Sequence, residues 1–452
     1  MKYTKIAASV MLVAGLAPNA TFAANISDAE ATALIERLKK LEQEVVTLRS
    51  KLNNSESENT QKSDAQVPAK KTESASNVTS VNWKGAPEVK GKDGWSVKPR
   101  GRMLYDFANL SSVPDTIDIP GEGFSNEARR VRIGIQGTMP GGFGYKLETD
   151  LPGGTSLTDA YISYKNDNWK FTFGQHNNFQ SFEELTSSND SSFIERAAFT
   201  DAFGFQRKLG ISAATKVGSL NVQAGIFTDN LDDLDDGNES ISLDTRVFAS
   251  PKVDGMQMHF GGSLHMRDLG DSIDTVRYRA RPMVHSVDTR FINTDRIAGA
   301  QKENSYGLEA GVIAGRFHAM AEVHTVKVDR DGFDDPSFFG GAIEAGYFLT
   351  NDTRQYKGGV FKGVKVSEPV SAGGIGAWQV NLRFDRLDLE DGDIVGGTQD
   401  AYMASLIWTP INNVRFLLQY GHLSYSNAMD IVEGAPNDFS VNVLGARTQV
   451  SF

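Results

Sequence analysis

The stretch WQVNLRFD at residues 378–385 alternates strictly between apolar and polar side chains. Successive side chains of an extended strand point to opposite faces, so this segment predicts a β-strand with one apolar and one polar face. The polar face carries both Arg383 and Asp385. Alternation alone does not separate a soluble sandwich, whose apolar face packs into a core, from a membrane barrel, whose apolar face meets lipid.

The same period of two recurs from about residue 95 to the C terminus. It marks seventeen candidate strands: 97–107, 128–138, 142–151, 157–165, 168–176, 203–215, 219–228, 240–250, 255–268, 274–282, 304–314, 316–328, 338–348, 376–389, 399–409, 413–426 and 439–452. A bacterial single-chain barrel needs an even number, with short turns on the periplasmic side. Treating 269–303 as one outer loop removes candidate 274–282. The predicted fold class is therefore all-β, a 16-stranded antiparallel transmembrane β-barrel over residues 95–452.

Three features favour lipid over a soluble core. Arg and Asp or Glu recur in the middle of the polar faces, as a wet lumen requires. The chain ends in an alternating strand with a terminal Phe452, like the closing strand of bacterial outer-membrane proteins. Aromatic residues stand at strand ends, where interfacial girdles form: Tyr164, Trp169, Tyr347 and Trp408.

The composition excludes several functions. The chain has 452 residues, no cysteine and a formal net charge of −11. The lack of cysteine removes disulfides, thiolate zinc sites, iron–sulfur clusters and cysteine nucleophiles. An acidic balance argues against a nucleic-acid partner, which usually leaves a basic footprint. Neither a Gly-x-Ser-x-Gly elbow nor a His-Glu-x-x-His motif is present. We therefore expect no enzyme, no cofactor and no metal site.

The N-terminal region divides into three segments. Residues 1–23 predict a secretory signal peptide, with a basic start, an apolar centre and small residues before the cut. Residues 24–52 predict a short periplasmic α-helical coiled coil, since apolar residues recur at heptad spacing. The heptad positions are Leu34, Leu38, Leu41, Val45, Leu48 and Leu52. An amphipathic helix lying on its own domain is the alternative. Residues 53–94 are polar and predict a flexible linker.

Two long connections suggest structure inside the barrel. The third outer loop, about 176–203, carries an apolar load unsuited to water, so we expect it to fold inward and narrow the pore: Phe179, Phe182, Leu185, Phe193, Ile194 and Phe199. The periplasmic connection 349–375 could also fold inward. The acidic stretch 229–239 is read as a solvated outer loop, with calcium binding or bridging to lipopolysaccharide as the alternative.

The sequence resembles the phosphate-selective porin O and P family from about residue 95 to the C terminus. The matching stretches are ARRVRIG at 128–134, FGYKLETD at 143–150, DAYISY at 159–164, FGQ at 173–175, LTSS at 185–188, FIER at 193–196, RYRARP at 277–282, YGLE at 306–309 and IGAW at 375–378. This resemblance implies a homotrimeric outer-membrane porin. It also implies that the third loop sets the constriction and that a run of arginines guides anions toward it.

An arginine guide also has a physical basis. The arginines of the RYRARP stretch are spaced by two, so an extended chain places them on one side. Guanidinium groups suit phosphate and carboxylate and stay charged near neutral pH. Clustered in a low-dielectric funnel, they would raise the local anion concentration. The alternative is that they pair with lumen carboxylates such as Glu148 and Asp150. The predicted constriction and guidance residues are Arg102, Arg129, Arg130, Arg132, Asp159, Glu183, Glu184, Arg196, Arg277, Arg279 and Arg281.

One position departs from the family pattern. Phosphate-selective members place a lysine just before the Thr-Ser-Ser stretch, whereas the aligned residue here is Glu184, preceded by Glu183. A carboxylate there would cancel part of the arginine field. We therefore expect passive diffusion of small hydrophilic solutes with a weak charge preference, anions such as phosphate included. The alternative is a structural anchor in the outer membrane and its lipopolysaccharide, whose coiled coil contacts the cell wall.

Overall fold

The alternating segments pair into a closed antiparallel sheet in the computed structural model, which describes residues 43, 47, 78–117, 119, 122–234, 237–429 and 434–452. Within this part of the chain the barrel has sixteen strands: β1 Ser96–Ser111, β2 Gly123–Thr138, β3 Phe143–Asp150, β4 Ser156–Asn166, β5 Trp169–Asn177, β6 Arg207–Val217, β7 Leu220–Phe227, β8 Ile241–Ala249, β9 Met256–Asp268, β10 Ala300–Ala314, β11 Phe317–Arg330, β12 Ser337–Phe348, β13 Ala377–Asp391, β14 Ile394–Ile411, β15 Val414–Ser426 and β16 Phe439–Ser451.

The sheet closes on itself because β16 pairs with β1, with Arg447 opposite Asp106. Closure leaves no unpaired edge, which is the condition for a β-structure in lipid. The predicted 16-stranded barrel is confirmed. The discarded candidate 274–282 contributes only the short strands Thr275–Val276 and Arg279–Ala280 inside an outer loop.

The polar faces of the strands point into the barrel. On β13, Leu382 is 66% exposed on the outer surface, whereas Arg383 is 3% and Asp385 0% exposed inside. An apolar outer surface around a polar interior is the arrangement of a membrane barrel. The soluble-sandwich alternative is therefore wrong.

Aromatic rings gather at the periplasmic ends of the strands. Trp408 stacks on Trp378 and on Phe416, with ring centroids 5.6 and 5.5 Å apart. Phe143 and Tyr164 lie 5.0 Å apart between their centroids. Such belts occupy the membrane–water boundary, because the rings are apolar with a polar edge.

The two ends of the barrel differ. Short turns join the strands at the periplasmic end, except for the long connection 349–376. The opposite end carries the longer loops, among them L3 (178–206), L4 (228–240) and L5 (269–299). The remaining short elements are the strands Lys252–Val253, Ile292–Asn293 and Ile297–Ala298 and the 3-10 turns Lys92–Gly94, Pro140–Gly142 and Val370–Ala372.

An apolar core fills part of the barrel toward its outer end. It joins inward side chains of the outer loops to those at strand ends, among them Phe199, Phe291, Leu389 and Val441, all less than 1% exposed. The core explains how L3 and L5 can carry large apolar residues. These side chains leave water by packing inside the barrel.

The chain divides into two units, residues 1–75 and 76–452. In the first unit the described residues are Gln43 and Thr47, both helical, and Thr47 Oγ1 donates to the Gln43 carbonyl oxygen at 2.8 Å. The predicted signal peptide and the six heptad residues lie outside the described residues. No described helix is long and apolar enough to cross a membrane.

The end of the predicted flexible linker, 53–94, is folded. Strands Val78–Lys84 and Ala86–Gly91 form a hairpin that turns at Gly85, and Val89 pairs with Val97 of β1. Gly85 has a φ of 79°, which glycine adopts without steric cost. The linker prediction is therefore wrong for this hairpin, and residues 53–77 lie outside the described residues.

Candidate functional site

Loop L3 lies inside the barrel. Of the six large apolar residues singled out in the sequence, Leu185 is half-buried and the other five are at most 9% exposed: Phe179, Phe182, Phe193, Ile194 and Phe199. The barrel wall and the apolar core supply the partners for these side chains. The inward fold predicted for L3 is confirmed.

Wall carboxylates hold the backbone of L3. The Glu322 carboxylate on β11 accepts the backbone N–H groups of Phe182 and Glu183, at 2.8 and 3.0 Å, where helix α1 (Phe182–Leu185) begins. Asp385 on β13 accepts the N–H of Ala198 at 3.1 Å, where α2 (Ala198–Ala202) begins. The first N–H groups of a helix have no partner within the helix, so these contacts satisfy donors that would otherwise be buried unpaired.

The Glu183 side chain is buried in the attachment of L3 to the wall. It pairs with Arg383 of β13, which also donates to Glu344 at 2.9 Å, and it accepts the N–H of Ala197 at 3.0 Å. Burial raises the pKa of Glu183, against the opposing effect of Arg383. The prediction that Glu183 lines the constriction is wrong, because its helix turns this side chain toward β13.

The periplasmic connection also enters the lumen. Its strands Arg354–Lys357 and Val360–Val364 form a hairpin beneath L3. The Phe361 ring, 1% exposed, packs edge-on against the Phe182 ring of L3 with centroids 5.0 Å apart. Arg354 Nη1 donates to Ser192 Oγ at 2.6 Å. The expectation that this segment folds inward is confirmed.

We expect Phe361→Ala to loosen L3, because a buried Phe→Ala change removes about 3–5 kcal/mol of packing. The single-channel current in planar bilayers should become noisier and its mean conductance should rise. Phe333→Ala is the matched control, since Phe333 is 54% exposed in an outer loop. Unchanged conductance and noise in Phe361→Ala would contradict a supporting role for the hairpin.

L3 leaves open a cavity of about 690 Å3 along β1 to β6, named here the main cavity. Its described lining includes nine cationic side chains: Arg100, Arg102, Arg129, Arg130, Arg132, Lys146, Arg196, Arg207 and Arg281. It includes six carboxylates: Asp159, Glu184, Glu195, Asp201, Asp232 and Asp233. The excess of cations means that the carboxylates in this lining cannot neutralise all of them.

Many of these cations do pair with carboxylates. Arg132 Nε lies 2.8 Å from Asp150 Oδ2, and Lys146 Nζ lies 2.7 Å from Asp159 Oδ2. Arg207 shares the Asp159 carboxylate at 3.3 Å. The pairing considered as an alternative to an arginine guide is therefore present, and it holds the side chains in place along the wall.

Arg102 connects the wall to the Thr-Ser-Ser stretch of L3. Its Nη1 donates to Ser188 Oγ at 3.1 Å and lies 3.4 Å from Ser187 Oγ, while its Nη2 lies 3.5 Å from Glu148 Oε2. The neighbouring arginine, Arg132, stands opposite it across the β1–β2 ladder. The two arginines predicted to be close on adjacent strands are indeed cross-strand neighbours.

A bulge brings two consecutive arginines into the main cavity. The ladder shifts between Leu104 and Tyr105 of β1, and Arg129 of β2 has no partner there. A bulge breaks the strict alternation of a strand, so Arg129 and Arg130 can both face inward. Arg129 holds Glu195 of L3 with two bonds, at 2.8 and 3.0 Å. Burial raises the pKa of Glu195, but Arg129 outweighs it and holds this pKa well below its usual range.

Glu184 lines the main cavity, and its charge is paired. Its Oε2 lies 3.0 Å from Arg196 Nη1. Arg196 also donates to the carbonyl oxygens of Glu183, Glu184 and Thr186, at 3.0, 3.0 and 2.9 Å. Arg196 therefore closes the turn of L3, which fixes it independently of the Glu184 carboxylate.

The three arginines of L5 separate. All alternate with buried residues, as their spacing predicts, but only Arg281 lines the main cavity, where it pairs with Asp288 at 2.9 Å. Arg277 binds Asn293 and lines a different cavity. Arg279 is exposed and lines none of the cavities among the described residues. The guidance role predicted for Arg277 and Arg279 is not supported, because the short strands of L5 direct them away.

A second cavity of about 360 Å3 lies toward the periplasm, named here the periplasmic cavity. Arg100 and Ser187 line both this cavity and the main cavity. Its described cationic lining consists of Arg100, Arg354, Lys362 and Arg415, against the single carboxylate Asp190. Arg100 Nη1 donates to the neutral Gln136 side chain at 2.9 Å.

Sequence reasoning missed several of these cations. Arg100 lies two residues before Arg102, so the period of two could have placed it on the same inward face. Arg207 begins β6 and could have been found in the same way. Arg354 and Lys362 carried no signal, because their position depends on how the periplasmic hairpin folds.

The model of the family described as phosphate-selective porin O and P matches residues 97–452. The chain belongs to this family. An uncharacterized protein of Caulobacter vibrioides is 42% identical over 389 residues, which cover 84% of this chain and 78% of that protein. Porin O of Pseudomonas aeruginosa is 27% identical over 354 residues, which cover 70% and 78%. Family and fold are those of a channel and indicate a bacterial outer-membrane location.

Solved structures share the porin fold at low sequence identity. OmpT of Vibrio cholerae, an outer-membrane protein solved with loop L8 deleted, superposes with a TM-score of 0.52 at 12% identity, covering 80% of this chain and all of that one. OprB of Pseudomonas putida gives 0.51 at 10% identity, covering 80% and 94%. These similarities support the fold alone.

Proposed function

We propose that this porin is a passive diffusion pore for small hydrophilic solutes with a preference for anions. The observation that carries the proposal is the excess of cations in the main and periplasmic cavities, which meet at Arg100 and Ser187. No reaction step is needed, because a solute crosses through water between charged walls.

The proposed path runs down the main cavity, past the inner face of L3, and out through the periplasmic cavity. L3 and the periplasmic hairpin occupy the rest of the lumen, so the path is narrowed where both cavities share Arg100. A guanidinium at such a point attracts anions strongly, because the surrounding walls have a lower dielectric constant than water.

The paired cations shape this field rather than cancel it. Carboxylates such as Asp159 serve two cations at once. The partners of Arg100 and Arg415 in the described structure are neutral amide or carbonyl groups. Small anions, inorganic phosphate among them, are therefore the solutes we expect to pass most readily.

Insertion into planar bilayers tests the proposal. We expect discrete conductance steps in potassium chloride, and a reversible reduction of chloride current when inorganic phosphate is added. Phosphate should act by occupying the cation-lined path. Absence of conductance steps from protein that is folded by circular dichroism would contradict the proposal.

Glu184→Gln should raise the chloride-over-potassium permeability ratio only modestly, by less than about twofold. Its carboxylate is already paired with Arg196, and three carbonyl oxygens keep Arg196 in place. Glu184→Lys should raise the ratio further. A large change in Glu184→Gln would indicate that this carboxylate, and not the cation excess, dominates the field.

We further propose a homotrimer in contact with lipid and lipopolysaccharide, with a periplasmic coiled coil formed by the heptad segment 24–52. A second function, anchoring to the cell wall, rests on the same heptad. Deleting residues 24–77 should leave single-channel conductance unchanged, because the described barrel and its N-terminal hairpin begin at Val78. Cell fractionation of the same variant tests the anchor: loss of cell-wall association supports it, and retained association contradicts it.

A further inference from the structure

A third cavity of about 810 Å3, named here the side cavity, opens between L3, L4 and L5. Residues 204–206 and Asp233 line both this cavity and the main cavity, and Asn178 of L3 contributes to it as well. Its volume lies within the range of small-molecule binding sites. The described residues around it come from the outer loops and the adjoining parts of strands β6 and β9 to β11.

The side cavity differs from the main cavity in its charge. Its described lining has three cations, Lys208, Arg267 and Arg277, against three carboxylates, Asp229, Asp233 and Glu303. These charges are largely consumed by one another, as the contacts of the Asp229 carboxylate illustrate. It lies 2.9 Å from Lys208 and 2.6 Å from Arg267. The cavity therefore offers polar contacts without a net field for ions.

One polar atom in the lining is left for a ligand. The Asp244 carboxylate accepts from His265 Nδ1 at 2.7 Å, from Asn178 at 3.0 Å and from Ser242 at 2.8 Å. Three donors on one carboxylate indicate the ionised form, so Nδ1 of His265 carries the proton. In the neutral imidazole, Nε2 is then an acceptor. Within the described structure it has no hydrogen-bond partner.

The opposite side of the cavity is apolar. The half-buried Phe203 packs against Tyr278 and Phe205, with ring centroids 5.9 and 6.1 Å apart, and Ile273 lies beside this core. Tyr278 uses its hydroxyl on Glu303 at 2.5 Å, so its ring serves as wall. An apolar wall facing a few convergent polar atoms is the usual form of a small-molecule site.

We propose that the side cavity binds a neutral polyhydroxylated solute of about disaccharide size. The hydroxyl groups donate to His265 Nε2 and accept from Arg267, while the C–H face of the solute covers Phe203. A multiply charged anion is excluded because the lining has no excess of cations and presents Asp233. The site thus selects a chemical class different from that of the main path.

Sucrose, followed by saturation-transfer NMR on the full chain in a detergent without a sugar headgroup, tests this proposal. We expect saturable binding that is weakened about five- to tenfold by Phe203→Ala, which removes the apolar wall. Ser272→Trp should abolish it, because Ser272 is exposed in L5 and a large side chain there fills the cavity without disturbing the barrel. Arg130→Gln, in the main cavity, is the matched control and should not change it.

The proposal is overturned if wild type shows no saturable sucrose binding, or if Ser272→Trp binds sucrose like wild type. It is also overturned if Arg130→Gln or added phosphate abolishes binding, since the sugar would then occupy the main cavity. Reversal potentials measured on the same preparations keep this test separate from the proposed anion preference.

Discussion

Arg100→Glu should invert the ion preference of this porin, from chloride over potassium to potassium over chloride. Arg100 lines both cavities, and its partner Gln136 carries no charge. An ion passing about 5 Å from a fixed charge, at an effective dielectric constant of about 30, experiences on the order of 2 kcal/mol. Charge reversal doubles this difference, so the permeability ratio should change by about tenfold or more.

Zero-current potentials under a potassium chloride gradient measure this ratio directly. Low ionic strength gives the largest effect, because salt screens charges in a wet pore. Lys165→Glu is the control of equal charge change, since Lys165 is exposed at a periplasmic turn and lines neither cavity. If both variants shift the potential equally, the net charge of the protein acts and not the position of Arg100.

Arg383→Leu should detach L3 from the barrel wall. Arg383 stands between Glu183 of L3 and Glu344 of β12, and all three side chains are nearly fully buried. Removing one partner of a buried ion pair typically costs about 3–5 kcal/mol, because the other charges remain buried and unpaired. We expect a higher and noisier single-channel conductance and new proteolytic cleavage within residues 178–206.

Arg386→Leu provides the matched control on the same strand. Arg386 pairs with Asp388 and Asp400, but its side chain is 42% exposed. Exposed pairs contribute about 0–1 kcal/mol, so this variant should keep the wild-type conductance and resist protease. Equal behaviour of the two variants, or an intact L3 in Arg383→Leu, would contradict the attachment described for L3.

The fold was readable from the sequence because the barrel repeats one simple rule. Alternation on strands such as β13 follows from the lipid outside and the water inside, and the parity of the strand count removed segment 274–282. The apolar load of L3 predicted its inward fold for the same reason. The hairpin from Val78 to Gly91 was missed because polar composition was taken as flexibility, although its valines, threonine and tryptophan favour a strand.

The site was only partly readable. Arg102, Arg130 and Arg132 were placed correctly, because strand period and cross-strand pairing are local. Glu183 and Glu184 are adjacent on one short helix, yet they face different surroundings, and sequence does not give the rotation of such a helix.

Contacts made far apart along the chain left no periodic signal. Arg383 meets Glu183 across 200 positions, and Arg354 reaches Ser192 from the opposite end of the barrel. These contacts depend on how L3 and the periplasmic hairpin fold into the lumen. Only the three-dimensional structure identifies them as supports of the proposed path.

The zero-current potential of the wild-type porin under a potassium chloride gradient tests the central claim most directly. An excess of cations along the main and periplasmic cavities predicts a potential of the sign that chloride diffusion produces, decreasing as salt concentration rises. A potential near zero at low salt, or one of the sign that potassium diffusion produces, would contradict the proposed anion preference.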